Sequence, residues 1–277
     1  MTFDRELDVA LAAAREAMGV IMHVYARDFE VHYKDAREPV TEADRLANEL
    51  ICGRLAAAFP SDGIVAEESA PSDPAQLASA LARERVWLVD PLDGTKEFVG
   101  RYDEFSVMIG LCVAGTPVVG VVAMPVQDVV AIGAQDTGAW SIDASGARRA
   151  LRVSSKRSVG ESSMLMSRSH RSERLLAVAT ALAPAQQVLS GSVGIKCVRI
   201  ASGTDELYVN LPSRRGARLW DACGPEAIVR AAGGRVSTVF GEPIAYQGPE
   251  VGLVRGMVAT NGAIHDEVVA TTQALCG

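Results

Sequence analysis

Apolar side chains recur at helical spacing near the start of the chain. From about Asp4 to Tyr25, the residues Leu7, Leu11, Ala14, Met18, Ile21 and Tyr25 fall on one helical face. A second helix is predicted from Thr41 to about Phe59, with Ala43, Leu46, Leu50, Ile51 and Leu55 turned inward. Ile64-Val65-Ala66 is short and strand-like and ends in Glu67-Glu68. Pro71 to Arg85 is a polar, alanine-rich excursion with room for a short helix. Val86-Trp87-Leu88-Val89 reads as a buried strand. The apolar, β-branched segments 105–113, 117–124 and 128–133, separated by Gly115 and Pro125, read as an antiparallel meander. Beyond residues 150–160 strands and helices alternate. Met164–Ser167 and Glu206–Val209 are strand-like, and Glu173–Leu182 and Lys196–Ala201 are helical. Trp220-Asp221 opens a helix that runs to Ala232 and stops at Gly233-Gly234. Met257–Thr260 is a last strand, and Asn261 caps a final helix. The pattern is α+β, with an antiparallel half over 1–155 and a βα-alternating half over 156–277.

Composition narrows the classes. A hydrophobic content of 48% over 277 residues supports an extensive core. No apolar run reaches membrane-spanning length, and Met1–Glu6 is too charged to open a signal peptide. The five cysteines are scattered without a Cys-x-x-Cys pair, which reads as reduced thiols in a cytoplasmic protein. A net charge of −7 argues against a nucleic-acid footprint, so an anionic ligand needs local cations. With four histidines the expected metal is hard and oxygen-liganded.

The segment Asp90-Pro91-Leu92-Asp93-Gly94-Thr95 carries the chemistry. An apolar strand delivers two carboxylates three residues apart and then turns. Buried carboxylates are costly unless a cation meets them. Asp-Gly is also an ordinary turn signal. The aspartyl-phosphate pattern Asp-x-Asp-x-Thr is excluded, because Pro91 stands where the nucleophile must be. The alternating acids of an EF-hand loop are absent. Glu67-Glu68 ending a strand and Asp221 opening a helix each have bland explanations, as solvated loop charges and a helix-dipole partner. Asp44, three residues after Thr41, completes a capping arrangement.

Taken in order, Pro39-Val40-Thr41-Glu42-Ala43-Asp44, Glu67-Glu68-Ser69, Asp90–Thr95 and Trp220-Asp221 resemble the Mg²⁺-dependent, lithium-sensitive phosphatases of the inositol monophosphatase superfamily. The resemblance spans nearly the whole chain. It implies a layered αβαβα sandwich of the inositol monophosphatase and fructose-1,6-bisphosphatase type, with the active site between the two halves. It assigns Glu67, Asp90, Asp93, Asp221 and the Leu92 carbonyl to two or three Mg²⁺ ions, with Asp44 acting through water on the weakest. Gly94 and Thr95 then offer N–H groups to the phosphate, and the Thr95 hydroxyl with Glu67 orients the attacking water. It is compatible with a homodimer.

Ser167-Arg168-Ser169-His170, Gly191–Lys196 and Thr95–Phe98 resemble the 3′(2′),5′-bisphosphate nucleotidase branch. By that resemblance Ser167, His170, Ser192 and Lys196 contact the nucleotide and its retained phosphate, and Asp221 also faces the substrate. The expected partner is a small phosphorylated substrate, with an inositol or sugar phosphate as the alternative. Two departures are visible. Several nucleotidases carry Arg where this chain has Asn210, with Arg214, Arg215 or Arg218 as substitutes. Glu67-Glu68-Ser69 is closer to the inositol-phosphatase form.

Overall fold

In the computed structural model, residues 2–35, 38–135, 137–169, 171–213 and 216–276 are described. The elements run α1 (Asp4–Tyr25), β1 (Val31–Asp35), β2 (Glu38–Thr41), α2 (Glu42–Ala58), β3 (Gly63–Ala66), α3 (Pro74–Leu81), β4 (Arg85–Asp93) and α4 (Thr95–Val99). The meander follows as β5 (Ser106–Val113), β6 (Thr116–Met124), β7 (Val129–Ala134), β8 (Gly138–Asp143) and β9 (Arg148–Leu151). The second half contains β10 (Ser163–Ser167), α5 (Glu173–Leu182), β11 (Gln186–Ser190), α6 (Val193–Ala201) and β12 (Leu207–Asn210). It ends with α7 (Leu219–Ala231), β13 (Arg235–Ser237), β14 (Met257–Thr260) and α8 (His265–Cys276).

Two sheets result. Strands β3 to β9 form a seven-stranded sheet in chain order, antiparallel except where β3 pairs parallel with β4. The second has five strands in the order β11-β10-β12-β14-β13. Alternation along β4 sends Trp87 and Val89 to a core shared with α1 and α2, and Val86 and Leu88 to a core shared with α6 and α7. A third core joins the far face of the second sheet to α5 and α8. The layers are therefore αβαβα, as the resemblance implies.

Helix α7 is the middle layer, and glycines let it lie there. Gly110, Gly120 and Gly133 face one another across β5, β6 and β7. A Cβ on Gly120 would sit 2.1 Å from the Gly224 carbonyl oxygen, and one on Gly110 would sit 2.5 Å from the Gly224 nitrogen. A row without side chains is a trough, and α7 rests in it with backbone against backbone.

The structure adds elements that periodicity did not predict. β8, β9, β11 and β13 are short and carry polar residues such as Arg148, Arg149, Gln186 and Gln187. In the hairpin β1–β2 the successive residues His32 and Tyr33 are both exposed, so its pairing left no alternation to read. Helix α6 begins at Val193 rather than Lys196, because the Ser192 hydroxyl caps it by accepting from Ile195 N. Helix α8 begins at His265. Asn261 precedes it by a turn and accepts from Ile264 N.

Candidate active site

A register shift in β4 brings the first two carboxylates together. Asp90 pairs with Met108, yet Asp93 pairs with Ser106, so β4 spends one more residue than β5 over this stretch. In a regular strand, residues three apart point to opposite faces. The extra residue restores Asp93 to the side of Asp90. That side is the α7 side, where Asp221 occupies the first turn of the helix and accepts from Arg218 N at 2.7 Å. Oxygens of Asp90, Asp93 and Asp221 lie within 4.8 Å of one another. An all-carboxylate set of this compactness fits a hard divalent cation.

Electrostatics agree with that fit. Burial, followed by the charges of Glu67, Asp93 and Asp221, pushes the Asp90 carboxyl well above its ordinary range. Asp221 is pushed up to about 8, first by burial and then by Asp93, against the opposing Arg218 N–H. Without a cation the cluster holds protons where isolated carboxylates would not. Glu67 extends the parallel pairing of β3, its N–H donating to Val89 O at 3.0 Å. It stands outside the compact trio but close enough for its charge to raise Asp44, Asp90 and Asp221.

The turn after β4 supplies the remaining parts. Gly94 has φ of +91°, and a Cβ there would meet the Glu104 carbonyl at 2.9 Å, so glycine is required on both counts. The Thr95 hydroxyl lies 3.1 Å from both the Leu92 carbonyl and Asp44 Oδ1. The other Asp44 oxygen accepts from Thr41 N at 2.7 Å and Thr41 Oγ1 at 2.6 Å. Asp44 thus completes the capping box of α2 and also fixes Thr95. Burial, opposed by the Thr41 bonds and helped by Glu67, raises its carboxyl to about 6.

The second half meets this turn along a polar seam. Ser192 Oγ donates to Asp93 Oδ2 at 2.6 Å, and Gly194 N donates to the same oxygen at 3.1 Å. Lys196 is 2% exposed, with Nζ 2.8 Å from Gly191 O and the Tyr208 ring beside it. Burial lowers the Lys196 ammonium from its ordinary value, against the pull of nearby groups led by Asp93. Both Ser192 and Lys196 were expected to contact substrate. In the structure both side chains engage protein groups along this seam, and Ser192 Oγ also lies 2.8 Å from Ser106 Oγ of β5. Ser167 ends β10 and is partly buried. His170, Arg214 and Arg215 lie outside the described residues. Asn210 ends β12 and donates to the Tyr208 hydroxyl at 3.3 Å.

One pair was not anticipated. Arg168 Nε and Nη2 donate to the Glu104 carboxylate at 2.7 and 2.8 Å, and Gly191 N donates to Glu104 as well. Burial would raise Glu104, but these donors hold its carboxyl below the usual range. Ser169 Oγ donates to Glu97 nearby. The motif around Arg168 was legible, but its partner is a loop acid 64 residues away, for which the sequence carries no signal.

Comparison with known proteins sets the chain in context. The model of the inositol monophosphatase family matches residues 4–276. The 3′(2′),5′-bisphosphate nucleotidase CysQ of Escherichia coli O157:H7 is 35% identical over 242 residues, covering 87% of this chain and 93% of that protein. The Salmonella typhimurium protein of the same name is 34% identical over 256 residues, covering 92% and 99%. Among solved structures, the IMPase of Thermotoga maritima superposes with a TM-score of 0.81 at 23% identity, covering 98% of each chain; it speaks to fold alone.

Proposed function

Because the chain belongs to the inositol monophosphatase family, we propose that it is a Mg²⁺-dependent phosphomonoesterase that converts adenosine 3′,5′-bisphosphate to AMP and phosphate. Identity of 35% over nearly the full length of a bisphosphate nucleotidase carries the choice of substrate. The convergence of Asp90, Asp93 and Asp221 supports the choice of chemistry.

Phosphate-monoester hydrolysis is among the slowest uncatalysed reactions, and enzymes accelerate such reactions by up to about 10²¹. A lone general base contributes only ~10²–10⁴. Glu67, Asp90, Asp93, Asp221 and the Leu92 carbonyl are the groups to hold two or three Mg²⁺ ions. When bound, the ions neutralise phosphate charge and acidify water. The chain's own contribution is positioning. The Thr95 hydroxyl has one proton, engaged by Asp44 Oδ1 and Leu92 O, so toward a water it acts as acceptor. With Glu67 it orients that water opposite the ester oxygen. Gly94 and Thr95 N–H groups receive the phosphate. The water oxygen forms the new P–O bond, the P–O3′ bond breaks, and the 3′ oxygen leaves with a proton. Li⁺ inhibition, a place in sulfur assimilation, a cytoplasmic location and a homodimer belong to the same reading. Among the described residues, no helix is long and apolar enough to cross a membrane.

A side-by-side substrate panel at saturating Mg²⁺ tests this. Adenosine 3′,5′-bisphosphate should exceed myo-inositol 1-phosphate in kcat/KM, and Asp93→Asn should abolish both activities. The reverse preference would favour an inositol or sugar phosphatase, the reading to which Asn210 and Glu67-Glu68-Ser69 lend support. Absence of phosphate release from every monoester would overturn the enzymatic account.

A further inference from the structure

The nucleotide reading requires a cation for the phosphate that is not cleaved. That group carries about two negative charges at neutral pH, and any ions held by Asp90 and Asp93 would be taken up by the ester being broken. Lys196 is closed in, with its ammonium turned to the carbonyls of Ser190 and Gly191. Asn210 is neutral.

Resting on that reading, we propose that Arg168 binds the retained phosphate and sets the preference for a bisphosphate over a monophosphate. Its placement is the first ground. The Arg168 backbone is tied to Ser190 O, and its guanidinium is forked onto Glu104. The Glu104 carbonyl in turn lies against Gly94, the residue that opens the phosphate turn. Glu104 thus touches the phosphate turn with its backbone and holds the guanidinium with its side chain. Availability is the second ground. The fork uses Nε and Nη2, and among the described residues Nη1 has no hydrogen-bond partner. The side chain is 32% exposed. Preorganisation is the third. Glu104 fixes the plane of the guanidinium, and the exposed ring of Tyr102 lies 5.3 Å beneath it. An arginine already held in one rotamer loses little further entropy when an anion arrives, and its planar donors match phosphate oxygens.

The test compares adenosine 3′,5′-bisphosphate with adenosine 3′-monophosphate, and measures AMP affinity by calorimetry. Arg168→Gln should lower kcat/KM for the bisphosphate roughly 10- to 100-fold more than for the monophosphate, the size expected for a charge-assisted hydrogen bond. AMP binding should weaken by a similar factor, because AMP keeps the phosphate in question. Arg168→Lys should restore part of each loss. Equal losses on both substrates would overturn the inference and leave Arg168 a structural tie to Glu104. A selective loss with Lys96→Gln in place of Arg168→Gln would overturn it too. A preference retained by Arg168→Gln overturns this inference alone. A wild-type enzyme that does not prefer the bisphosphate overturns the nucleotidase reading and takes this inference with it.

Discussion

At the residue scale, Thr95 is the side chain on which the most depends. Its hydroxyl is held by Asp44, which is itself immobilised by two bonds to Thr41, so a water accepted there has a fixed direction. Thr95→Ala should lower kcat by about 10²-fold or more, the range for a positioned proton-transfer group, with little change in KM. Steady-state kinetics on adenosine 3′,5′-bisphosphate would check it, and a loss confined to KM would contradict the role. The carboxylates were legible because each sits where an element must end: the exit of a strand, or the first turn of a helix. The protein contacts of Ser192 and Lys196 were not. Which protein groups a side chain at a helix start meets depends on the packing of that turn, and neither sequence spacing nor residue type encodes it.

At the scale of elements, the trough of Gly110, Gly120 and Gly133 decides where Asp221 stands. Gly120→Ala places a methyl 2.1 Å from a carbonyl oxygen, with backbone on both sides unable to yield. The expected cost is about 3 kcal/mol or more, measured by urea denaturation, together with weaker Mg²⁺ binding. Gly53→Ala is the contrast. It lies exposed on α2 with nothing within 4 Å, and it should stabilise the helix by roughly 0.5–1 kcal/mol. Equal effects from the two substitutions would remove the argument for close helix–sheet contact. Long amphipathic helices and β-branched strands were readable because burial enforces their period. The polar strands β9 and β11 were not, since edge position frees them from a one-sided apolar pattern. The three glycines look like weak points in strands until the helix that fills their row is known.

At the scale of the molecule, the carboxylate cluster links stability to both pH and cation. The folded, metal-free protein keeps a proton on Asp221 up to about pH 8, whereas the unfolded chain releases it near 4. The folded state therefore binds more protons at Asp221 across that window. The contribution of Asp221 to the stability of the metal-free protein falls as pH rises from about 4 toward 8 and then levels off. Asp44, raised to about 6, acts in the same direction. His265, lowered by burial to about 4, works the other way below about 6.5. Mg²⁺ requires the ionised carboxylates, so its effect grows as pH rises. At 100 times its Kd a cation adds about 2.7 kcal/mol, or roughly 5 °C in Tm for a chain of this size. Calorimetry with EDTA and with Mg²⁺ at pH 6 and pH 8.5 should show the larger increment at pH 8.5. An increment independent of pH would mean that the cation binds elsewhere.

Helix α7 also determines how the protein comes apart. Ten of its residues are buried, some against the first sheet and others against the second. Peeling away either sheet would strand an oily cylinder in water, so neither half has a complete interior of its own. The two are better regarded as co-owners of one wall than as modules joined by a linker. Melting should be a single cooperative event, and a fragment ending near residue 155 would lack both that wall and its third aspartate.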